Sequence, residues 1–360
     1  MKAGSWKRRV FRGLICLLIL CALWFGIILL RHPPGKEAPA GKRPFPNEIV
    51  GVYHVHTTLS DGRKPLDEIV PIASRQRLHF LILTDHGKPN RASLASQGWK
   101  DGVLVLAGSE LAVSRGHLVA LDFRPPERDF AQNAEEAALE VAAAGGFTII
   151  AHPFRRTGWS WGGWAGYSGI EIVSADSAVK ENILSVIPYL PALIFNPRIF
   201  LLKTLKRPAQ SLKKWDELGM KRAVSGYFSA DAHLVYEALF SCLRLHVLLE
   251  KPLAQDFEKA KGQVFTSLRR GSFYCAVDSA GPAGGLAFWA ETQGSRFPMG
   301  STISRDASHR VQFRSEASFP FKVQTRLLRN GEVICSAQGP EISFPTEKPG
   351  VYRLEIYLQG

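Results

Sequence analysis

Short apolar runs alternate with helix-like stretches along much of the chain. Helical periodicity is clear at residues 66–77 and 131–144. The strand-like runs, in chain order, are EIVGVYHVH (48–56), FLILTDH (80–86), VLVLAGSE (103–110), HLVALDF (117–123), FTIIAHP (147–153), GIEIV (169–173) and AVSGYFSADAH (223–233). A rhythm of strands and helices predicts an α/β domain with a parallel sheet or a barrel, and we place this domain at residues 48–280.

The pattern changes near Gly284 to short runs in which apolar and polar residues alternate. These runs are GLAFWAE, RVQFRSE, KVQTRLLRNGEVI, EISFP and VYRLEIYL. Asn330 and Gly331 lie between two of them, and a tight primed hairpin turn requires positive φ at both central residues. We therefore expect a small antiparallel, Ig-like β-sandwich at residues 284–360. None of its residues has a spacing typical of catalysis.

The N-terminal region contains a candidate membrane anchor. Residues 13–30 are uncharged and apolar, and at 1.5 Å per residue they span roughly 27 Å as a helix. Bulky residues continue up to Arg31, which favours an uncleaved transmembrane helix; cleavage after the Ala38-Pro39-Ala40 segment is the weaker alternative. We expect a single-pass membrane protein in which the basic residues 1–12 are cytoplasmic and the body is exported to the periplasm or the exterior. Residues 31–47, rich in Pro, Gly and Lys, would form the linker.

Residues 182–218 interrupt the strand-and-helix rhythm. They are rich in Leu, Ile, Phe and Pro, and lysines and an arginine follow the apolar part. We predict an apolar helical insertion that packs on the domain. The alternative is a surface that lies on the anchoring membrane. Pro188, Pro191 and Pro197 divide the segment into pieces too short to span a bilayer, which favours packing.

Composition adds few constraints. The 360 residues are 46% hydrophobic, enough for two globular units. There are 45 Lys and Arg against 32 Asp and Glu, and this excess of positive charge favours anionic partners without selecting phosphates, nucleic acid or acidic lipid. Two of the five cysteines lie in the apolar run, and the other three are too widely spaced to indicate a disulfide framework.

Candidate chemistry begins with His54 and His56. Residues i and i+2 of a strand point to the same face, so these two imidazoles can share one metal ion. The pair alone is weak evidence for a metal site, because histidine is also common in protein cores. The stronger signal is recurrence, since ligand-type residues lie at or beside the ends of most strand-like runs: Asp85, His86, Glu110, His117, His152, Asp231 and His233.

Strand ends of a β/α barrel converge on one mouth, where such residues would meet. Six of the ten histidines belong to this set. His32, His79, His246 and His309 are expected to be ordinary core or surface residues. Borderline metals bind neutral imidazole and carboxylate together, so the set predicts a metal centre.

The motif order H-x-H-T-x-x-S-D-G, T-D-H, G-x-E, G-H, A-H-P and D-A-H resembles the polymerase and histidinol phosphatase (PHP) superfamily of metal-dependent phosphoesterases. The resemblance covers about residues 50–235. The anchor and the C-terminal sandwich are similar to a branch of exported members with an extra domain. One motif departs from the pattern: the family commonly has G-S-D-A-H where this chain has Ser229-Ala230-Asp231-Ala232-His233. The ligand positions remain.

The resemblance implies a distorted (β/α)7 barrel that holds two or three divalent ions, Zn, Mn or Fe. By motif position, it assigns His54, His56, Glu110 and Asp231 to the first metal, Glu110, His117 and His152 to the second, and Asp61, His86 and His233 to the third. Asp85 would orient or support His86, as ligating histidines usually require. Six of the ligands are expected to be directly catalytic: His54, His56, Glu110, His152, Asp231 and His233.

A water shared by neighbouring ions would lose a proton near neutral pH and become the nucleophile. Lys88, Arg115, Arg155 and Arg156 lie close to ligand motifs and are either phosphate contacts or solvated charges, with Arg155 the first choice. The glycine-rich sequence around Trp159, Trp161 and Trp164 predicts a mobile loop over the mouth, which would stack on a substrate ring or pack on the rim.

Three functions remain open from the sequence. Hydrolysis of a small-molecule phosphoester, including a nucleotide, is the leading one, because its equatorial oxygens can bind metal. Hydrolysis of a carboxylic or carbamic ester on the same site is the alternative, since some relatives with the same ligands act in this way. The third is a non-catalytic binding module displayed by the anchor. Nothing indicates nucleic acid beyond a nucleotide substrate.

Overall fold

The computed structural model describes residues 11–13, 15–16, 23, 26, 45–154, 158–163, 166–190, 192, 196–281, 283–304, 310–319 and 321–359. The chain forms two compact units, Met1–Lys36 and Glu37–Gly360. Most of the predicted anchor (13–30), most of the basic segment 1–12 and residues 31–44 of the predicted linker lie outside the described residues. Within the described ranges, no helix is both long enough and apolar enough to cross a bilayer.

The larger unit begins with eleven strands that belong to the α/β part. They are β1 (Glu48–Val55), β2 (Phe80–Leu83), β3 (Gly98–Lys100), β4 (Val103–Ala107), β5 (Ser109–Val113), β6 (Gly116–Leu121), β7 (Phe147–Ile150), β8 (Gly169–Ser174), β9 (Ser225–Ser229), β10 (Leu243–Leu248) and β11 (Phe273–Val277). The helices are α1 (Leu66–Arg75), α2 (Arg91–Ala95), α3 (Ala134–Ala143), α4 (Ala175–Val186), α5 (Pro197–Thr204), α6 (Ala209–Gly219), α7 (Tyr236–Phe240) and α8 (Phe257–Arg270).

These strands form two sheets, ordered β11-β10-β1-β2-β4-β3 and β5-β6-β7-β8-β9. Isolated bridges between Val55 and Ala232 and between His86 and Glu110 join the two sheets. The predicted mixed α/β class is confirmed. The sheets are not parallel throughout, however, because β5 and β6 are antiparallel. Only Ser114 and Arg115 separate these two strands, and a parallel pair would need a crossover of about a dozen residues or more.

Apolar side chains from both sheets and from α8 fill the space below the strand ends. Phe80, Ile82, Leu104 and Ile149 are buried there. The long helix α8 is capped by Asp256, whose side chain accepts a hydrogen bond from the backbone N–H of Lys259, and this cap satisfies one of the free N–H groups of the first turn. Its buried face includes Val264, Phe265 and Leu268. The core therefore supports the site from beneath. His54, His152 and Asp231 lie at or just after the carboxyl ends of β1, β7 and β9, whereas Glu110 and His117 are the second residues of β5 and β6, respectively.

The chain ends in two antiparallel sheets, as the alternating pattern predicts. Their strands are β12 (Ala287–Thr292), β13 (Ser295–Pro298), β14 (Val311–Glu316), β15 (Val323–Arg329), β16 (Glu332–Gln338), β17 (Ile342–Thr346) and β18 (Tyr352–Leu358). The orders are β13-β12-β14-β17 and β16-β15-β18. Asn330 and Gly331 connect β15 to β16 with φ values of 51° and 88°, the positive angles that a primed turn requires.

The segment predicted as an apolar insertion contains the end of α4, a 3₁₀ turn at Ile187–Tyr189, α5 and most of α6. Ile199, Phe200 and Leu201 of α5 are buried, whereas Leu184 of α4 is largely exposed. On α6, the Trp215 indole donates a hydrogen bond to the carbonyl of Val224, immediately before β9. Much of this segment thus packs on the domain.

Candidate metal centre

His54 and His56 are brought together by an irregularity in β1. The register between β1 and β2 shifts between Tyr53 and Val55, and His54 lies there with a φ of 68°. A left-handed backbone is unfavourable for a residue with a Cβ atom. In this conformation the Nε2 atoms of His54 and His56 lie 3.1 Å apart. The simple alternation expected from the sequence is therefore replaced by a bulge that aims both rings at one point.

Two further ligand candidates share this unusual backbone. His152 follows β7 with a φ of 28°, and Asp231 follows β9 with a φ of 44°. Such conformations cost free energy and persist where the surroundings impose them, which is typical of functional sites. The strain at three strand ends therefore indicates that these positions serve the site rather than the stability of the strands.

Glu110 is the centre of the cluster. Its Oε2 atom lies 3.1 Å from the Nε2 atoms of both His54 and His56. Its Oε1 atom lies 2.7 Å from Nδ1 of His117 and 3.0 Å from Nε2 of His152. Only 1% of this residue is exposed. One buried carboxylate therefore lies within 3.1 Å of four imidazoles, two at each oxygen.

Asp61 forms the outer part of the cluster. Its carboxylate oxygens lie 3.2 Å from Nε2 of His233, 3.6 Å from Nε2 of His86 and 3.5 Å from Nδ1 of His56. Its side chain is 55% exposed, so this part of the centre faces the solvent. Asp231 lies deeper, with Oδ1 3.6 Å from Nε2 of His54. The structure thus brings together all nine residues that the sequence nominated as ligands.

The donor atoms fit divalent metal ions. Three groups have ligand atoms within 4.8 Å of one another: His54, His56 and Glu110; His86, Glu110 and His117; and His56, Asp61, His86 and His233. His152 and Asp231 join them through Glu110 and His54. The grouping differs from the expected one, because His86 also faces Glu110 and His56 also faces Asp61. Neutral imidazole with carboxylate is the donor set that zinc and similar borderline ions prefer.

Charge interactions set the protonation of the buried members. Burial alone would raise the pKa of Glu110, but His54, His117 and His152 together hold the pKa of this carboxyl well below its usual value. Burial would lower the pKa of His54, and the carboxylates of Glu171 and Glu110 outweigh it and raise the pKa well above normal. Glu110 is therefore an anion in the neutral pH range, which is the form that binds a cation.

Glu171 and Ser174 contact the ligands and were missed by sequence reasoning. Glu171 lies within 2.6 Å of Nδ1 of His54, and the Ser174 hydroxyl donates to Oδ2 of Asp231 at 3.1 Å. A signal for Glu171 existed, because it is the single charged residue in the apolar run GIEIV, and a charge in a buried strand needs a partner. Ser174 had no comparable signal.

Asp85 supports a different element from the one expected. Its carboxylate accepts hydrogen bonds from the backbone N–H of Thr57 at 2.6 Å and from the Ser60 hydroxyl at 2.7 Å. These bonds fix the turn that follows His56 and carries Asp61. The structure therefore places Asp85 behind the Asp61 turn rather than against the His86 ring.

The basic residues nominated as phosphate contacts have protein partners where they are described. Arg115 pairs with Glu135 at 3.0 Å and donates to the Ser160 carbonyl at 2.9 Å, and Lys88 donates to Gln132. Arg155, Arg156 and Trp164 lie outside the described residues. Trp161 is buried against Tyr167, and Lys214 lies 4.9 Å from the centre of the Trp159 ring. Trp161 therefore packs on the domain, as one of the two interpretations of the loop expected.

Comparisons with known proteins give structural similarities alone. No family model matches the chain, and no curated protein matches it. Among solved structures, a two-domain protein containing a predicted PHP-like metal-dependent phosphoesterase from Bacteroides vulgatus is 12% identical, with 91% of each chain covered and a TM-score of 0.45. An amidohydrolase from Chromobacterium violaceum with bound sulfate is 17% identical, with 51% of this chain and 87% of that chain covered and a TM-score of 0.33. The evidence for function comes from the side chains of the site.

Proposed function

We propose that this centre is the active site of a metal-dependent hydrolase that cleaves phosphoesters. The observation that carries the proposal is Glu110, a buried carboxylate with two imidazoles at about 3 Å from each oxygen. A carboxylate in this position can bridge two ions, and the surrounding imidazoles can complete their coordination. We further propose that two or three Zn, Mn or Fe ions are held in a distorted PHP-type barrel by the nine residues named above.

Bound divalent ions would lower the pKa of a coordinated water and neutralise charge on the substrate. The side chains of the protein supply the arrangement of ligands around these ions. Glu110 and the buried rings of His54 and His56 hold the inner part, shielded from bulk water. Asp61, His86 and His233 form the solvent-facing part, where a substrate oxygen can approach. Catalysis of this kind depends on positioning and on electrostatic stabilisation of developing charge.

A phosphoester suits this geometry better than a carboxylic ester. A transferring phosphoryl group spreads its charge over three equatorial oxygens. The three overlapping donor groups run from the buried Glu110 to the exposed Asp61, so several oxygens of one substrate can be neutralised together. A carboxylic ester offers one developing oxyanion and would use less of the cluster. The net charge of +13 also favours an anionic substrate.

We also propose that residues 13–30 anchor the protein in a membrane by a single span and that the metal centre is exported. The support is the apolar run in the sequence, flanked by basic residues on both sides. The substrate would then be a small phosphoester that reaches the centre from the exported side. Protease protection in cells that express a tagged protein would test this placement. Digestion of the C-terminal sheets only after the inner membrane has been lysed would contradict it.

The activity is tested with the full chain purified in detergent, as isolated and after loading with Mn²⁺ or Zn²⁺. Metal content is measured by elemental analysis, and hydrolysis is followed with a phosphate and a carboxylate ester of one phenol. The variant is His152→Ala. The matched control is His79→Ala, because His79 is exposed, immediately precedes β2 and lies at the other end of that strand from the centre.

The expected result is bound metal in the wild type, preference for the phosphate ester, and loss of activity in His152→Ala but not in His79→Ala. Hydrolysis of the carboxylate ester alone would favour the alternative esterase. Little bound metal and no activity would favour a binding module and would overturn the proposal.

A further inference from the structure

Glu171 is a buried acid beside the centre. It lies in the middle of β8, where every residue is buried, and only 1% of it is exposed. Ile170 and Ile172 on either side belong to the core. Removing a carboxylate from water is costly unless hydrogen bonds or opposite charges compensate. Its two oxygens must therefore have specific partners.

Two of its partners are proposed metal ligands, one for each oxygen. Oε1 lies 2.6 Å from Nδ1 of His54. Oε2 accepts the backbone N–H of His152 at 2.8 Å. His54 lies in β1 and His152 follows β7, and these two strands belong to different sheets. Glu171 therefore joins opposite sides of the centre.

The bond to His54 fixes the tautomer of its ring. A carboxylate oxygen accepts this bond, so in the neutral ring that binds metal the proton lies on Nδ1 and the lone pair of Nε2 is left for an ion. That Nε2 atom lies 3.1 Å from Oε2 of Glu110. Without Glu171, the ring would be free to take the other tautomer and to rotate.

The bond to His152 compensates for its strained backbone. His152 has a φ of 28°, and its N–H group is held by Glu171. In this conformation Nε2 of His152 reaches Oε1 of Glu110 at 3.0 Å. Glu171 thereby holds one ligand on each side of Glu110 with a single carboxylate.

We propose that Glu171 is a positioning residue that couples the two metal positions on either side of Glu110, so that its loss weakens metal binding at both together. The inference rests on the proposed function, because it assumes that Glu110 and its histidines bind metal. A carboxylate is required in this position. A glutamine amide has one acceptor and one donor group, and its NH₂ would face the N–H of either His54 or His152.

The chain contains a closely matched control at the other end of the strand that carries His54. Glu48, at the start of β1, is also buried, lies 2.7 Å from Nδ1 of His246 and accepts the backbone N–H of Gly285 at 2.9 Å. The other nitrogen of His246 faces Asp278 at 3.3 Å, so this pair is a structural ion pair. Changes at Glu48 report the cost of breaking a buried Glu–His pair away from the centre.

The experiment compares Glu171→Gln and Glu171→Ala with Glu48→Gln and Glu48→Ala in the full chain in detergent. Metal-free protein is titrated with Co²⁺ and Zn²⁺ against a chelating indicator, and the Co²⁺ absorption bands report the ligand geometry. Thermal unfolding of each metal-free variant is measured in parallel. Glu171→Gln keeps the side-chain volume and remains informative if Glu171→Ala does not fold.

We expect both Glu171 variants to weaken the two tightest sites by about 10–100-fold and to alter the Co²⁺ spectrum. The Glu48 variants should lower the unfolding temperature and leave both affinities within about twofold, since they touch no ligand. Unchanged affinities and spectrum in Glu171→Gln would overturn the inference while the wild type still binds metal. Equal weakening in the Glu48 variants would also overturn it, because the effect would then be general destabilisation. Absence of metal binding by the wild type would overturn the proposed function itself.

Discussion

The Nε2 atoms of His54 and His56 face each other at 3.1 Å. When the His54 ring is neutral, Glu171 holds its proton on Nδ1, and Nε2 then presents a lone pair. Oε2 of Glu110 lies 3.1 Å from the Nε2 atoms of both His54 and His56. Electron-rich atoms converge at such distances where a cation or a proton can lie between them.

Removal of divalent ions should lower the stability of the protein. A ligand that binds only the folded state stabilises it by about 2.7 kcal/mol when present at 100 times its Kd. We expect a chelator to lower the unfolding temperature by several degrees and Mn²⁺ or Zn²⁺ to restore it, measured by calorimetry. An unfolding temperature that is the same with and without chelator would argue against a metal centre.

Glu110→Gln should remove the carboxylate that the two neighbouring metal positions share. An amide carries one acceptor and one donor group and cannot face two histidines through each atom as a carboxylate does. We expect loss of at least one bound metal per chain and a fall in phosphoesterase activity of more than about 100-fold. Elemental analysis and initial rates provide the measurement. Glu136→Gln on the exposed face of α3 is the control, and equal losses in both variants would contradict the prediction.

Stability should fall at high pH because of His246. Burial alone would lower the pKa of His246, but the carboxylates of Asp278 and Glu48 outweigh it and raise the pKa to about 9. A raised pKa means that the protonated form stabilises the fold: the contribution is complete below the unfolded pKa of roughly 6.5 and is lost as pH rises through about 9. The shift corresponds to about 3 kcal/mol at most.

The measurement is the free energy of unfolding in urea between pH 6 and pH 9.5. The wild type should lose stability over this range relative to His246→Gln, whose side chain does not titrate. His79→Gln, which changes an exposed histidine, should follow the wild type. If the difference in the free energy of unfolding between wild type and His246→Gln is independent of pH, protonated His246 does not stabilise the fold.

Arg353 should link α6 to the C-terminal sheets. Its guanidinium in β18 pairs with Asp216 of α6 and lies 5.1 Å from the centre of the Trp215 ring. The Arg353 side chain is only 10% exposed, and hydrogen bonds to charged groups contribute about 1.5–3 kcal/mol. We expect Arg353→Ala to cost about this amount, with a coupling to Asp216→Asn of more than about 1 kcal/mol, within the range seen for direct contacts.

A double-mutant cycle in urea measures this coupling. The exposed pair of Arg270 and Glu250, whose side chains are 65% and 83% exposed, is the control. Its coupling should stay below about 1 kcal/mol, because solvent screens surface ion pairs. Equal coupling energies for the two pairs would show that burial of Arg353 does not strengthen its ion pair with Asp216.

Local pattern was sufficient to find the candidate ligands. His54, Glu110, His152 and Asp231 each lie at or beside the end of an apolar run, and the ends of neighbouring strands meet at one edge of a sheet. The alternation after Gly284 likewise predicted antiparallel sheets, and the Asn-Gly pair predicted their hairpin. These features follow from periodicity and residue type, which are properties of short segments.

The sequence by itself therefore determined the α/β class, the antiparallel C-terminal sheets and the identity of the residues that cluster. Only the tertiary structure decided that four histidines lie within 3.1 Å of Glu110 and that a bulge aims His54 at His56. It also decided that Glu171 joins His54 to His152 and that Asp85 holds the turn before Asp61. Each of these depends on the register and direction of strands far apart in the chain. Such contacts are set by how the core packs, and no short segment contains that information.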